Sequence, residues 1–177
     1  GRKQYNSLIF GVSNQMCQNY IDYIKFQADK NDSSAQTNLG IFYEMGFVKG
    51  KNKENVIELY ELASKQNNDE ALYQLGMSYI DFDDAKAIKT LELAANLNNS
   101  QALFALGRIY KNGKGVEVDY QLSLKYYKLS AVQNNPLAYL DLGEMYENGL
   151  GVELDYKLAI FYYELSAKQN QLEAYQK

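Results

Sequence analysis

An acidic cluster is the first place where the side chains of this 177-residue sequence could perform chemistry. Asp81 and Asp83, followed by Glu92 eleven positions after Asp81, have the outline of a calcium-binding loop. Such a loop needs glycine at its sixth position, where Lys86 stands, and a ligand at its fifth, where Ala85 stands. We therefore interpret the cluster as a turn that caps a helix, and we predict no metal site.

Two glycine-rich loops and one cysteine are the other candidates. The segments 113–116 and 149–152 both read Gly-x-Gly-Val, which invites a comparison with phosphate-binding loops. No Gly-x4-Gly-Lys-Ser/Thr motif occurs and no strand is predicted before either loop, so we interpret both loops as helix ends. Cys17 has apolar neighbours at helical spacing and no histidine to activate it, which predicts a structural thiol.

The composition excludes several classes of function. Histidine is absent, which removes the usual general base, His-containing triads and His metal ligands. Lys and Arg number 18 against 22 Asp and Glu, so we expect no nucleic-acid partner. Apolar runs are too short for a membrane-spanning helix, so we expect no direct membrane insertion. A single cysteine cannot form an internal disulfide, which favours a cytoplasmic setting.

A repeated motif organises the chain. The pattern Ala-x3-Leu-Gly-x2-Tyr begins at Ala35, Ala71, Ala102 and Ala138, and a truncated copy begins at Ala174. Successive copies are 36, 31, 36 and 36 residues apart, so this is a repeat protein. The Ala, Leu and Tyr positions fall on one face of a helix, which we name helix A.

Each repeat continues into a second helix, B, which contains segments such as 126–131 and 162–167. The glycine of the motif, for example Gly107, costs about 1 kcal/mol inside a helix. This cost predicts that helix B crosses there too closely for a Cβ atom. Asp119 and Asp155 are placed to cap helix B, and Gly113 and Gly149 to end helix A.

Tyrosine is abundant, with 17 residues, and most tyrosines occupy repeat positions. Tyr60, Tyr127 and Tyr163 share one position of helix B. We predict that their rings form the repeat core and that their hydroxyls reach the surface or a backbone group.

These motifs resemble the Sel1-like repeat family, a relative of the tetratricopeptide repeat, over residues 15–177. The resemblance implies an all-α fold, a right-handed α/α superhelical solenoid in a single domain spanning 1–177. The expected repeats span 34–69, 70–100, 101–136 and 137–172, after a degenerate unit at 1–33 and before a truncated unit at 173–177. Because solenoids need terminal caps, we expect the natural chain to continue or to meet a partner at its C-terminal end.

The outward positions of helix A are the predicted binding site, since this face lines the concave groove in tetratricopeptide-like superhelices. Three large apolar residues stand two positions after the repeat alanine, and exposed apolar residues commonly mark contact surfaces. Polar or flexible residues stand six or nine positions after it. The predicted groove residues are Tyr73, Met77, Phe104, Arg108, Lys111, Leu140 and Glu144. The alternative is that curvature buries the apolar members between neighbouring A helices.

The predicted function is a non-catalytic scaffold or adaptor that binds a peptide or protein surface in this groove, without a cofactor. The first alternative is a structural or regulatory subunit, of immunity or effector type, that binds one folded partner. The second is a hydrolase, as described for cysteine-rich relatives of this family, but the paired cysteines of that branch are missing here. No nucleophile–base set is visible in the sequence either, which favours the adaptor.

Overall fold

The computed structural model describes the backbone of residues 2–50, 52–80 and 82–175, and the side chains of residues 15–50, 52–80 and 82–169. The secondary structure of this described part is all-α. Its helices are α1 (Arg2–Asp29), α2 (Ser33–Glu44), α3 (Lys53–Ser64), α4 (Asp69–Tyr79), α5 (Asp84–Asn96), α6 (Ser100–Asn112), α7 (Tyr120–Val132), α8 (Pro136–Asn148) and α9 (Tyr156–Tyr175). The predicted alternation of helices A and B is confirmed: α2, α4, α6 and α8 are A helices, and α3, α5, α7 and α9 are B helices.

The chain forms two compact units, Gly1–Leu75 and Gly76–Lys177, and the boundary falls inside α4. In the first unit, α1 packs on α2 and α2 packs on α3. In the second unit, α5 packs on α6, and the series continues through α7 and α8 to α9. The side chains of the truncated unit predicted at 173–177 lie outside the described residues. The same is true of the first fourteen side chains of the degenerate unit.

The ends of the helices are fixed by residues that recur in the repeats. Asn99 caps α6 by accepting a hydrogen bond from the backbone N–H of Ala102 at 2.8 Å, and Asp119 caps α7 through Leu122 at 2.8 Å. Gly113 ends α6 in the left-handed conformation with φ 69°, as the sequence predicted. Left-handed asparagines stand at the turns between repeats, at Asn31, Asn67, Asn98 and Asn134.

The glycine of helix A is a contact point, which confirms the prediction. A Cβ atom on Gly107 would lie 2.5 Å from the ring of Tyr127, and one on Gly40 would lie 2.5 Å from the ring of Tyr60. In the repeat that has Leu91 instead of a tyrosine, a Cβ on Gly76 would lie 2.7 Å from the leucine side chain. Helix B therefore packs its largest side chain directly on the backbone of helix A.

Each unit has a buried apolar cluster among its described residues. The cluster of the first unit contains Ile24, Ala28, Ala35 and Leu39. That of the second contains Leu124, Tyr127, Ala131, Ala138, Leu142 and Met145. Cys17 is exposed on α1, so it does not pack as a structural thiol would. None of the described helices is long and apolar enough to cross a membrane.

Candidate protein-binding face

The outward side of the A helices carries the predicted groove residues, and most of them lie in the second unit. We name six of them the A face: Met77, Phe104, Arg108, Lys111, Leu140 and Glu144. Tyr73, the seventh predicted residue, lies in the first unit, where it is half-buried. Burial, followed by the charge of Glu70, raises the pKa of Tyr73, so its hydroxyl stays neutral.

The apolar residues two positions after the repeat alanine are not equally exposed. Thr37, at this position in α2, is buried and donates its hydroxyl hydrogen to the carbonyl of Ser33. Phe104 is half-buried in α6, whereas Leu140 in α8 is 48% exposed. The expectation of a uniformly outward position is therefore wrong for α2, where the side chain of Thr37 is buried.

Phe104 belongs to the core as much as to the surface. Its ring centroid lies 5.7 Å from that of Tyr127, and its side chain packs against the buried cluster of the second unit. The guanidinium of Arg108 lies 5.9 Å from the Phe104 ring centroid on the same side of α6. Leu140 and Met77, which is 39% exposed, are the exposed apolar side chains of the A face.

An ion-pair network links the two neighbouring A helices α6 and α8. The ammonium group of Lys111 binds the carboxylate of Asp141 and, at 2.8 Å, that of Glu144. Burial acts to lower the pKa of Lys111, but the hydrogen bonds and charges of the two carboxylates outweigh it and raise that pKa. Lys111 and Glu144 are thus brought together as predicted groove residues.

Asp141 is the member of this network that sequence reasoning missed. It stands three positions after the repeat alanine, just beside the positions assigned to the outward face. Its side chain is only 15% exposed and that of Lys111 only 14%, so neither lies on an open rim. The signal that could have found Asp141 is its place one helical turn before Glu144, on the same side of α8.

The tyrosines of helix B differ in the partners of their hydroxyls. Tyr60 donates to Glu44 at 2.9 Å, and Tyr163 donates to Glu147 at 2.5 Å. Both acceptors stand nine positions after the repeat alanine of helix A. Glu44 and Glu147 are both exposed, so these two hydroxyls reach the surface as predicted, and each is bound there by a carboxylate.

Tyr127 lacks such an acceptor, because Lys111 occupies the corresponding position of α6. The side chain of Tyr127 is fully buried, and its hydroxyl makes no hydrogen bond of normal geometry within the described residues. Burial and then the charge of Asp141 raise the pKa of Tyr127, and the nearby Ser123 hydroxyl and Arg108 charge act against this shift. The Lys111 ammonium lies 5.9 Å from the ring centroid, so the Tyr127 ring lies close to the ion-pair network.

Two of the other candidate sites of the sequence, the acidic cluster and the glycine loops, have structural roles in the described residues. Asp83 caps α5 by accepting from the backbone N–H of Lys86 at 3.0 Å, whereas Asp81 lies outside the described part. No cluster of metal-ligating side chains occurs among the described residues. Gly149 ends α8 with φ 65°, which is the helix-end role predicted for the glycine loops. The A face combines exposed apolar side chains with charged ones.

The comparison with protein families matches the repeats directly. A family model described as Sel1 repeat matches residues 33–68, 100–135 and 136–171. These bounds differ by one residue from three of the predicted repeats, and the 31-residue repeat at 70–100 is not matched. A search of curated proteins gave no match.

Solved structures support the same assignment of fold. A Sel1 repeat protein from Oxalobacter formigenes is 28% identical, with a TM-score of 0.74 over 78% of this chain and 59% of that one. The protective antigen c5321 of uropathogenic Escherichia coli is 30% identical, with a TM-score of 0.78 over 84% and 33%. An immunity protein of Pseudomonas aeruginosa, PA5088, is 25% identical, with a TM-score of 0.63 over 84% and 56%. The chain thus spans between one third and three fifths of the length of these proteins.

Proposed function

The chain belongs to the Sel1 repeat family, and from that premise we propose that it is a non-catalytic interaction module whose A face binds a segment of another protein. The all-α solenoid fold of this family is typical of protein-interaction scaffolds. The proposal names the surface and the kind of partner, a peptide or a protein segment.

The exposure of Leu140 carries this proposal. Leu140 stands on α8 with about half of its side chain in solvent, and Glu144 lies one turn further along the same helix. On α6, the exposed Arg108 stands one turn after the half-buried Phe104. Protein contact surfaces combine an apolar centre with a polar rim, and these two helices supply side chains of both kinds.

A second candidate function rests on the similarity to the Pseudomonas aeruginosa immunity protein. On this hypothesis the chain is a regulatory subunit that binds one folded partner rather than a peptide. A folded partner would need a surface larger than the A face alone, of about 800 Å² on each protein. The two functions therefore predict different footprints on the same chain.

Affinity capture with two matched variants tests the proposal. Leu140→Asp places a charge on the A face, whereas Val132→Asp places one on α7, at an apolar residue that is 82% exposed. We expect Leu140→Asp to lose the partners that the parent chain captures, and Val132→Asp to keep them. Synthetic fragments of each captured protein are then titrated, because a peptide-binding module binds one fragment as tightly as the whole protein.

The opposite pattern would move the binding site. If Val132→Asp loses the partners and Leu140→Asp keeps them, binding occurs on helix B and the A-face proposal is wrong. If only the intact folded partner binds, and variants on several helices weaken it, the regulatory-subunit function replaces the adaptor.

A further inference from the structure

The A-face side of α8 carries more negative charge than the structure neutralises. Asp141, Glu144 and Glu147 follow one another at intervals of three residues, so they share an arc of roughly 120° on the helix. Leu140 points within that arc. Lys111 is the cation that binds these carboxylates, and it contacts two of them. The third, Glu147, accepts the hydroxyl hydrogen of Tyr163, which leaves its charge in place.

Lys111 shows what this patch binds. Its side chain crosses from α6 to α8 and places its ammonium group between Asp141, which is 15% exposed, and Glu144, which is 50% exposed. The carboxylates hold that ammonium protonated against the effect of burial. The patch is thus a cation site that the chain fills with its own lysine.

The base of the patch has unused hydrogen-bonding capacity. The Tyr127 hydroxyl is fully buried beneath Lys111 and has no partner in the described part of the chain. The equivalent hydroxyls of Tyr60 and Tyr163 both have one. A buried hydroxyl without a partner costs about 1–3 kcal/mol, so it favours any state in which a partner reaches it.

We propose that the carboxylates of Asp141, Glu144 and Glu147 receive a lysine or arginine side chain of the bound segment, next to an apolar side chain of that segment on Leu140. This inference rests on the proposed function, because it identifies the chemistry of the partner at the same face. Arginine fits best, since its guanidinium has five donors for the carboxylates and for the oxygen of Tyr127. The occupant is therefore a basic, partly apolar segment of another protein.

The incoming cation competes with Lys111. It displaces the Lys111 ammonium from Glu144 and Asp141, which opens the way to the Tyr127 hydroxyl. Removal of the lysine should therefore strengthen the binding of a basic segment, although it removes an ion pair from the free protein. A site that does not select for a positively charged side chain would not bind a basic segment more tightly when Lys111 is removed.

Panning of a displayed library of random 12-residue peptides tests this inference. Peptides that bind the parent chain and are lost on Leu140→Asn, which removes the apolar contact without adding charge, are taken as A-face peptides. We expect lysine or arginine next to an apolar residue in them. For one such peptide, Asp141→Asn should raise the dissociation constant about tenfold, and Lys111→Met should lower it. Glu164→Gln, an exposed carboxylate on α9, is the matched control and should leave it unchanged. Circular dichroism of each variant verifies the fold.

Two other outcomes separate this inference from the proposed function. A-face peptides without an excess of basic residues, or with an affinity unchanged by Asp141→Asn and Glu144→Gln, overturn the inference and leave the proposed function standing. If no peptide loses binding on Leu140→Asn, peptide binding at the A face is itself wrong and the inference falls with it. A higher dissociation constant for the folded Lys111→Met variant would overturn the proposed competition between Lys111 and the incoming cation.

Discussion

The α2–α3 and α6–α7 hairpins are built on the same plan and differ on their outward side. In both, a tyrosine of helix B packs on a glycine of helix A, as with Tyr60 on Gly40 and Tyr127 on Gly107. In α2–α3 the tyrosine hydroxyl is bound by Glu44, but in α6–α7 the equivalent position holds Lys111, which turns to α8 instead. The packing of a repeat and the chemistry of its surface can therefore change independently.

The position two residues after the repeat alanine gives a second difference. In α2 it holds Thr37, which is buried and bound to its own helix. In α6 it holds Phe104, which packs on Tyr127 and leaves part of its ring at the surface. On its outward side, the α6–α7 hairpin thus has the aromatic ring of Phe104 and the cation Lys111. At the same two positions, the α2–α3 hairpin has the small polar Thr37 and the anion Glu44.

The largest expected change in stability comes from the contact between glycine and tyrosine that both hairpins share. Gly107→Leu places a four-carbon side chain where even a Cβ atom would lie 2.5 Å from the Tyr127 ring. We expect the free energy of unfolding to fall by about 3 kcal/mol or more, because the ring is enclosed on its other sides. Gln101→Leu, at an exposed position of the same helix, is the control and should change it little. Urea denaturation measures both, and equal midpoints for the two variants would contradict the contact.

The position two residues after the repeat alanine also predicts that truncation of Phe104 and truncation of Leu140 lower the free energy of unfolding by different amounts. Phe104→Ala removes a half-buried ring from the core cluster and should lower the free energy of unfolding by about 2–3 kcal/mol. Leu140→Ala removes a side chain that is half in solvent, and the loss should be below about 1 kcal/mol. Thermal denaturation of the two variants measures the difference. Similar losses would mean that Leu140 is packed as tightly as Phe104.

The hydroxyls of Tyr60 and Tyr127 differ in their hydrogen bonding, so the same Tyr→Phe substitution should change the free energy of unfolding differently at the two positions. Tyr60→Phe removes a hydrogen bond to a carboxylate and should lower the free energy of unfolding by about 1–2 kcal/mol. Tyr127→Phe removes a hydroxyl without a partner, so the variant should be as stable as the parent or more stable. Denaturant midpoints of the two single variants give the comparison. A loss on Tyr127→Phe equal to that of Tyr60→Phe would show that the Tyr127 hydroxyl has a partner.

The repeat architecture was predictable because its causes are local. Alanine, leucine and tyrosine at helical spacing identify helix A, and the recurring glycine predicts a close approach that the ring of Tyr127 provides. Asp119 was recognisable as a cap because its acceptor serves a backbone N–H three residues away. Each of these features depends on neighbours within one repeat.

The chemistry of the candidate site was less predictable, because it depends on pairs of residues in different repeats. Lys111 and Asp141 are 30 residues apart, and nothing in a single repeat states that they meet. The helical wheel placed Phe104 and Leu140 at the same outward angle. Their exposure differs because the packing on Tyr127 covers one and not the other.

Alkaline pH gives the smallest expected effect and extends the comparison to the α8–α9 hairpin. There the hydroxyl of Tyr163 donates to Glu147, as that of Tyr60 does to Glu44. Burial, followed by the hydrogen bond to Glu147, raises the pKa of Tyr163 from its ordinary value of 10.0 to about 12. The unfolded chain therefore loses this proton at a lower pH than the folded chain.

The direction of the pH dependence follows from this difference. The stabilisation is complete below pH 10, where Tyr163 is protonated in both states, and it is lost as the pH rises from about 10 to 12. The raised pKa of Lys111 acts in the same direction. Its ion pair contributes fully below the pKa that this lysine has in the unfolded chain, and the contribution is lost as the pH rises through its pKa in the folded chain. Urea midpoints at pH 9, 10 and 11 should fall in the parent and fall less in Tyr163→Phe. Parallel slopes for parent and variant would mean that the hydroxyl of Tyr163 titrates as in the unfolded chain and that its bond to Glu147 contributes no stability.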